Sequence, residues 1–204
     1  MTIYIIISII AYFIGSISFS VIFSRKFAGF DVRDKGSGNA GTTNVLRTVG
    51  KKVAALTLLC DILKGVLAIG IAIIASKMWT DVNSELLKYL AGFFAILGHT
   101  FPIFFEFRGG KGVATSLGVL ITLNWEIGLI CLVFGVILIV LTRMVSVGSI
   151  MSAILFPILM VFMGKVGFEA IVVSILIALL VVFNHRTNIK RLKNGTENKL
   201  SFKK

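Results

Sequence analysis

Apolar residues in this chain run in long, nearly unbroken blocks, not at the three-to-four-residue spacing that gives a soluble helix one apolar face. The blocks cover about 3–24, 53–76, 86–107, 112–124, 127–142, 145–163 and 166–184. A helix needs roughly 20 apolar residues to cross a bilayer core of ~30 Å. The first three blocks and the last meet that length. The stretch Val113–Leu141 is ambiguous, because Asn124, Trp125 and Glu126 interrupt it and leave either one long helix or two short ones. Pro102 and Pro157 fall inside blocks and predict kinks there. Residues 3–24 carry neither a basic leader nor a small-residue cleavage pattern, so they read as a first spanning helix and not as a removable signal peptide.

Charge decides between the alternatives. With seven spans, all of the 21 lysines and arginines except Lys64, Lys77, Lys88 and Lys165 fall on one side of the membrane. Merging the doubtful pair splits them between sides. The positive-inside bias therefore selects seven helices, with the N-terminus outside and the C-terminus cytoplasmic. The fourth span is short, about 13 residues or ~20 Å of helix, and needs bilayer thinning or partial burial. The expected fold is an all-α, polytopic membrane protein, a single membrane-embedded domain over 1–204 without internal repeats.

Composition agrees. Hydrophobic residues make up 57% and charged residues 15% of the chain, and mean hydropathy is +0.99, whereas soluble domains carry about 25% charge. The net charge of +12 does not indicate nucleic acid, because the basic residues sit in short loops where they set topology and meet anionic headgroups. Cys60 and Cys131 lie in apolar stretches without disulfide or metal spacing, and read as buried thiols.

Three polar segments carry candidate chemistry. In the first, Lys35 to Arg47, the glycines Gly36, Gly38 and Gly41 let the backbone approach a ligand and present N–H groups to an anion. Ser37, Asn39, Thr42, Thr43 and Asn44 add neutral donors, and Arg47 suits bidentate phosphate binding. The bland alternative is a capping loop whose charges enforce topology. The second, Gly98 to Ser116, centres on Gly109-Gly110-Lys111-Gly112, an anion cradle opening a helix with Lys111 as a mobile charge. Gly112 follows the lysine, so the segment is not a P-loop. His99, just before it, is either a base or an interhelical hydrogen-bonding group. In the third, Asn184 to Glu197, His185 and Asn188 share a helix face. Lys190, Arg191 and Lys193 are explained by docking on anionic lipid, but His185, Asn188 and Glu197 are not. Asp61 and Lys64, one turn apart inside the second block, form either a structural ion pair or a ligand contact.

The stretches Gly36–Arg47, Gly109–Thr115 and His185–Glu197, in this order, closely resemble the three motifs of the bacterial acyl-phosphate:glycerol-3-phosphate acyltransferase family. The likeness covers nearly the whole chain. It implies an enzyme of the bacterial plasma membrane, with its site loops on the cytoplasmic face, acting in phospholipid synthesis. The implied reaction moves a fatty acyl group from acyl phosphate to the 1-hydroxyl of glycerol 3-phosphate, giving lysophosphatidic acid and phosphate. No cofactor or metal is implied; the implied partners are the two substrates and membrane lipid, while protein partners are left open, a monomer being one possibility. The His-x4-Asp dyad of coenzyme-A-using acyltransferases is missing, since Phe104 follows His99 and Lys190 follows His185 at that spacing.

By the same resemblance, Ser37, Asn39, Thr43, Asn44 and Arg47 line a phosphate pocket together with Lys111. His185 and Asn188 contact glycerol 3-phosphate, and Glu197 braces the tail. Ser37, Arg47, Lys111, His185 and Asn188 are the expected catalytic residues. Gly36, Gly38, Thr42, Gly109, Gly110 and Gly112 join the binding loops, while Asp61, Lys64 and His99 give structural support. The rival from another class is a small transporter of anionic metabolites. Its site would sit near the membrane midplane between repeats, whereas the polar groups here gather at one face.

Overall fold

The computed structural model of the protein describes residues 1–163 and 166–200. Among them the chain is helical throughout: α1 (Thr2–Gly15), α2 (Phe19–Ala28), α3 (Thr42–Thr48), α4 (Lys51–Met78), α5 (Ser84–Thr100), α6 (Val113–Leu123), α7 (Trp125–Thr142), α8 (Val145–Met163), α9 (Phe168–Asn184) and α10 (Arg186–Lys193). Short 3-10 turns lie at Val32–Asp34 and Ile103–Phe105.

The apolar blocks become helices with sharper ends than hydropathy predicts. The ambiguous stretch is two helices, because Asn124 leaves helical geometry and its Oδ1 accepts from Ile127 N at 3.1 Å, capping α7. Pro102 lies inside the candidate span Ser84–Phe105, at the point where the α-helix gives way to a 3-10 turn. It follows the end of α5, and Phe101 before it is held out of helical geometry. Pro157 does lie inside α8. Among the described residues, five helical segments are long and apolar enough to cross a membrane, and six if α9 and α10, bent by 58°, form one span. Helix α6, at 11 residues, falls short of that length.

The chain divides into two compact units, Met1–Leu123 and Asn124–Lys204. In unit 1, α5 packs on α1 and α4, and α6 on α4 and α5. The α1–α5 contact is a backbone-to-backbone approach. A methyl group on Gly15 would overlap the Ala95 carbonyl, and one on Gly98 the Tyr12 carbonyl, the close packing that small residues allow between membrane helices. In unit 2, α8 packs between α7 and α9.

The first apolar block breaks at residues 16–18 between α1 and α2. A break inside hydrocarbon strands carbonyls that water cannot reach. Lys64 from α4 supplies the donors, its Nζ lying 2.8 Å from both Gly15 O and Ile17 O. The ammonium is balanced by Asp61 Oδ1 at 3.1 Å, and both residues are buried.

A second device ties the loop after α2 to the loop after α5. Asp31 accepts from the Arg33 backbone N–H at 2.9 Å and from the guanidinium groups of Arg33 and Arg25. Arg33, itself buried, donates from Nη1 to Phe105 O at 2.8 Å. Burial works against ionising Asp31, but the Arg33 side chain and N–H, with Arg25, outweigh it and lower its carboxyl from the usual 3.8 to about 2.

Two outcomes follow from these contacts. Lys64→Met should lower stability against detergent unfolding by about 3–5 kcal/mol, since it orphans a buried carboxylate and two carbonyls. Adding Asp61→Asn should restore part of that loss. An unchanged midpoint in Lys64→Met would remove the pair from the frame. Because Asp31 has a lowered folded pKa, its contribution is present above the unfolded value and is lost as pH falls toward the folded one. Thermal midpoints measured from about pH 5 down to about pH 2 should therefore fall more steeply in the unmodified protein than in Asp31→Asn.

Candidate active site

The segment Lys35–Arg47 is organised from within by Asn44. Its side chain is buried in the first turn of α3, with Oδ1 accepting from Ser37 N at 2.9 Å. Its Nδ2 donates to Val32 O at 2.8 Å and Lys35 O at 3.0 Å. Gly36 lies directly over this amide with φ +59, so a side chain there would both strain the backbone and strike Asn44 Oδ1. Gly38 N donates to Lys35 O, and Gly41 N to Asn39 O. Three amides that the glycine pattern offered to an anion are thus spent inside the loop. What faces outward is side chains: Ser37 and Arg47 are exposed, and Asn39 and Thr43 are half-buried. Thr42 turns its Oγ1 inward, where it has no hydrogen-bond partner among the described residues.

The Gly109–Gly112 segment uses its glycines in the same way. Gly109 N donates to Thr100 O and Gly110 N to His99 O, both at 3.1 Å, so the strand lies along the last turn of α5. Gly110 is pinned between the His99 ring and the Ala40 carbonyl, with no room for a methyl group. Gly112 lies against Ile96 and leads into α6. The first two predicted segments therefore meet at Ala40 and Gly110. Lys111 emerges half-buried beside that junction. His99 is buried with Asp61 and Lys64, and its Nδ1 lies 3.6 Å from Asp61 Oδ1, just beyond hydrogen-bond reach.

Unit 2 holds the third segment. His185 ends α9, and its Nδ1 is 2.8 Å from Val181 O. A carbonyl only accepts, so Nδ1 carries the hydrogen and Nε2 of the neutral ring is the acceptor nitrogen. Glu197 gathers three donors: Ser146 Oγ at 2.9 Å and Asn188 Nδ2 at 2.7 Å on Oε1, and Arg191 Nε at 2.9 Å on Oε2. Burial raises the Glu197 pKa, but the hydrogen bonds from Arg191, Asn188 and Ser146 dominate and lower it. Leu200 N donates to Arg143 O, which pins the tail below α8.

Sequence reasoning missed Arg33, Asp31 and Ser146. Asp31 was legible as one of two acids, with Asp34, in a basic loop, two residues from Arg33. Ser146 lies 51 positions from Glu197 and gave no signal.

The sequence model of the family described as glycerol-3-phosphate acyltransferase matches residues 5–195. A protein of that name from Clostridioides difficile (strain 630) is 45% identical over 202 residues, covering 98% of this chain and 97% of its own. One from Thermoanaerobacter sp. (strain X514) is 43% identical, covering 96% and 95%. The crystal structure of PlsY (YgiH), an integral membrane glycerol 3-phosphate acyltransferase in its glycerol 3-phosphate form, superposes with a TM-score of 0.87 at 34% identity, covering 97% of this chain and 96% of that one. Its lysophosphatidic acid form gives 0.84 at 32% identity, covering 97% and 95%. Near-complete coverage from both directions, together with the three segments above, identifies the chain as a member of the glycerol-3-phosphate acyltransferase family.

Proposed function

We propose that the protein acylates the 1-hydroxyl of glycerol 3-phosphate with acyl phosphate as donor, releasing lysophosphatidic acid and inorganic phosphate. The observation that carries this reading is the junction at Ala40 and Gly110, which brings two basic loops of a family member together in unit 1. One substrate is a phosphomonoester and the other leaves as phosphate, so two anions must approach one carbonyl. Their repulsion costs several kcal/mol at low effective dielectric. Arg47 and Lys111 offset it, and stabilise the charge that builds on the carbonyl oxygen. Because the amides of Ser37, Gly38, Gly41, Gly109 and Gly110 are engaged within the protein, we assign this role to the side chains of Ser37, Arg47 and Lys111. Asn44 shapes the loop that carries two of them.

In the transfer, the 1-hydroxyl oxygen bonds to the acyl carbon, the carbon–oxygen bond to phosphate breaks, and the departing phosphate takes the hydroxyl proton. His185 and Asn188 are assigned to glycerol 3-phosphate. His185, with Nδ1 turned to the Val181 carbonyl, orients the hydroxyl, and Glu197 holds the Asn188 amide. The seven-span topology, with the loops on the cytoplasmic face of a bacterial plasma membrane, is part of the same proposal. It is supported by the one-sided distribution of lysine and arginine.

The direct test supplies the purified protein in liposomes with labelled glycerol 3-phosphate and either palmitoyl phosphate or palmitoyl-coenzyme A. Lysophosphatidic acid should form with the acyl phosphate alone; product from the coenzyme A donor alone overturns the donor assignment. Lys111→Ala should raise the apparent KM for acyl phosphate roughly 10- to 100-fold, the worth of one lost charge-assisted bond. An unchanged KM removes Lys111 from that site. His185→Ala should keep turnover well above the uncatalysed rate if substrate phosphate is the base, and collapse to that rate if the imidazole is.

A further inference from the structure

The transfer chemistry leaves a buried charged cluster in unit 1 unused. Asp61, Lys64 and His99 are 1%, 4% and 6% exposed. The break between α1 and α2 accounts for Lys64, and Lys64 accounts for Asp61. His99 is not accounted for by either. Its Nδ1 lies 3.6 Å from Asp61 Oδ1, beyond hydrogen-bond reach, and has no hydrogen-bond partner among the described residues, so filling this space with an imidazole costs more than filling it with an apolar side chain. The far end of the ring supplies the reason. Nε2 abuts Gly110 so tightly that a methyl group on that glycine would overlap it, and the Ala40 carbonyl closes the other side. The His99 main-chain oxygen also accepts from Gly110 N at 3.1 Å. Gly110 is therefore held by one residue through both ring and carbonyl, and the next residue in the chain is Lys111. A substrate hydroxyl reaching the ring would have to displace Gly110, which argues against His99 as a base.

We propose that His99 is a positioning residue for Lys111: its ring and its carbonyl fix Gly110 and thereby set where the Lys111 ammonium meets phosphate. The proposal rests on the reading that Lys111 contacts a phosphate group. Misplacing a binding group by about 1 Å costs on the order of 10²-fold, so the effect should be large although His99 touches no substrate.

The test uses the full-length protein in lipid nanodiscs, with inorganic phosphate as probe. Bound phosphate raises the unfolding midpoint in proportion to its occupancy of the folded state, so the rise reports the site separately from baseline stability. The unmodified protein should show the rise and Lys111→Ala should lose most of it. His99→Ala should lose it to a similar extent, with apparent phosphate affinity roughly 10- to 100-fold weaker. The double variant should be no worse than either single one, because both remove the same interaction. If His99→Ala does not fold, His99→Asn and Gly110→Ala serve in its place. The asparagine keeps an amide near Asp61 but vacates the Gly110 end, and it too should lose the rise. A His99 variant that melts lower yet keeps the full rise overturns the proposal, as does a double variant whose losses multiply. No rise in the unmodified protein would instead contradict the phosphate site itself.

Discussion

Unit 1 depends on the ammonium of Lys64, which reaches two main-chain oxygens where the first apolar block breaks. A bilayer cannot solvate a broken helix, so the break needs an internal donor, and a buried donor cation needs a counter-ion. Asp61 one turn earlier provides it. The break, the ion pair and the glycine contacts between α1 and α5 are thus one solution to one constraint. With that corner set, the last turn of α5 becomes a fixed rail, and the Gly109–Gly110 strand hydrogen-bonds along it. The Arg33–Phe105 contact secures the other loop to the same end.

Glycine-rich loops invite the reading that their amides cradle an anion. Here much of that hydrogen bonding is turned inward, toward Asn44 in the first loop and toward His99 and Thr100 in the second. Glycine is needed because the backbone passes over a side-chain amide at Gly36 and between a ring and a carbonyl at Gly110. The loops behave as stiff mounts, and the chemistry falls to the side chains they carry. Stiffness matters for a reaction that brings two phosphates to one carbon, since a charge that moves away stabilises nothing.

The helices were legible because apolar blocks longer than any soluble core requires have one explanation. The break at residues 16–18 was not, since Ser16, Ile17 and Ser18 are acceptable within a membrane helix and only Lys64 reveals the stranded carbonyls. Intramembrane Asp61 and Lys64 were visible as an unusual pair, but their task depended on Gly15 and Ile17 at the end of α1, 49 and 47 positions away. Asn44 looked like one more phosphate donor. Its employment by the loop follows from the turn at Gly36, which spacing alone does not specify. The acceptor nitrogen of His185 likewise depends on a carbonyl one turn back, and composition carries no trace of it.

The measurement that tests the central claim most directly is a structure of this protein in lipid with glycerol 3-phosphate and a non-transferable acyl phosphonate bound together. Phosphate and phosphonate oxygens should lie within about 3.2 Å of Ser37 Oγ, the Arg47 guanidinium and Lys111 Nζ, with Asn44 still turned into its loop. Phosphorus groups bound away from Arg47 and Lys111, or an Asn44 swung out to meet them, would contradict that claim.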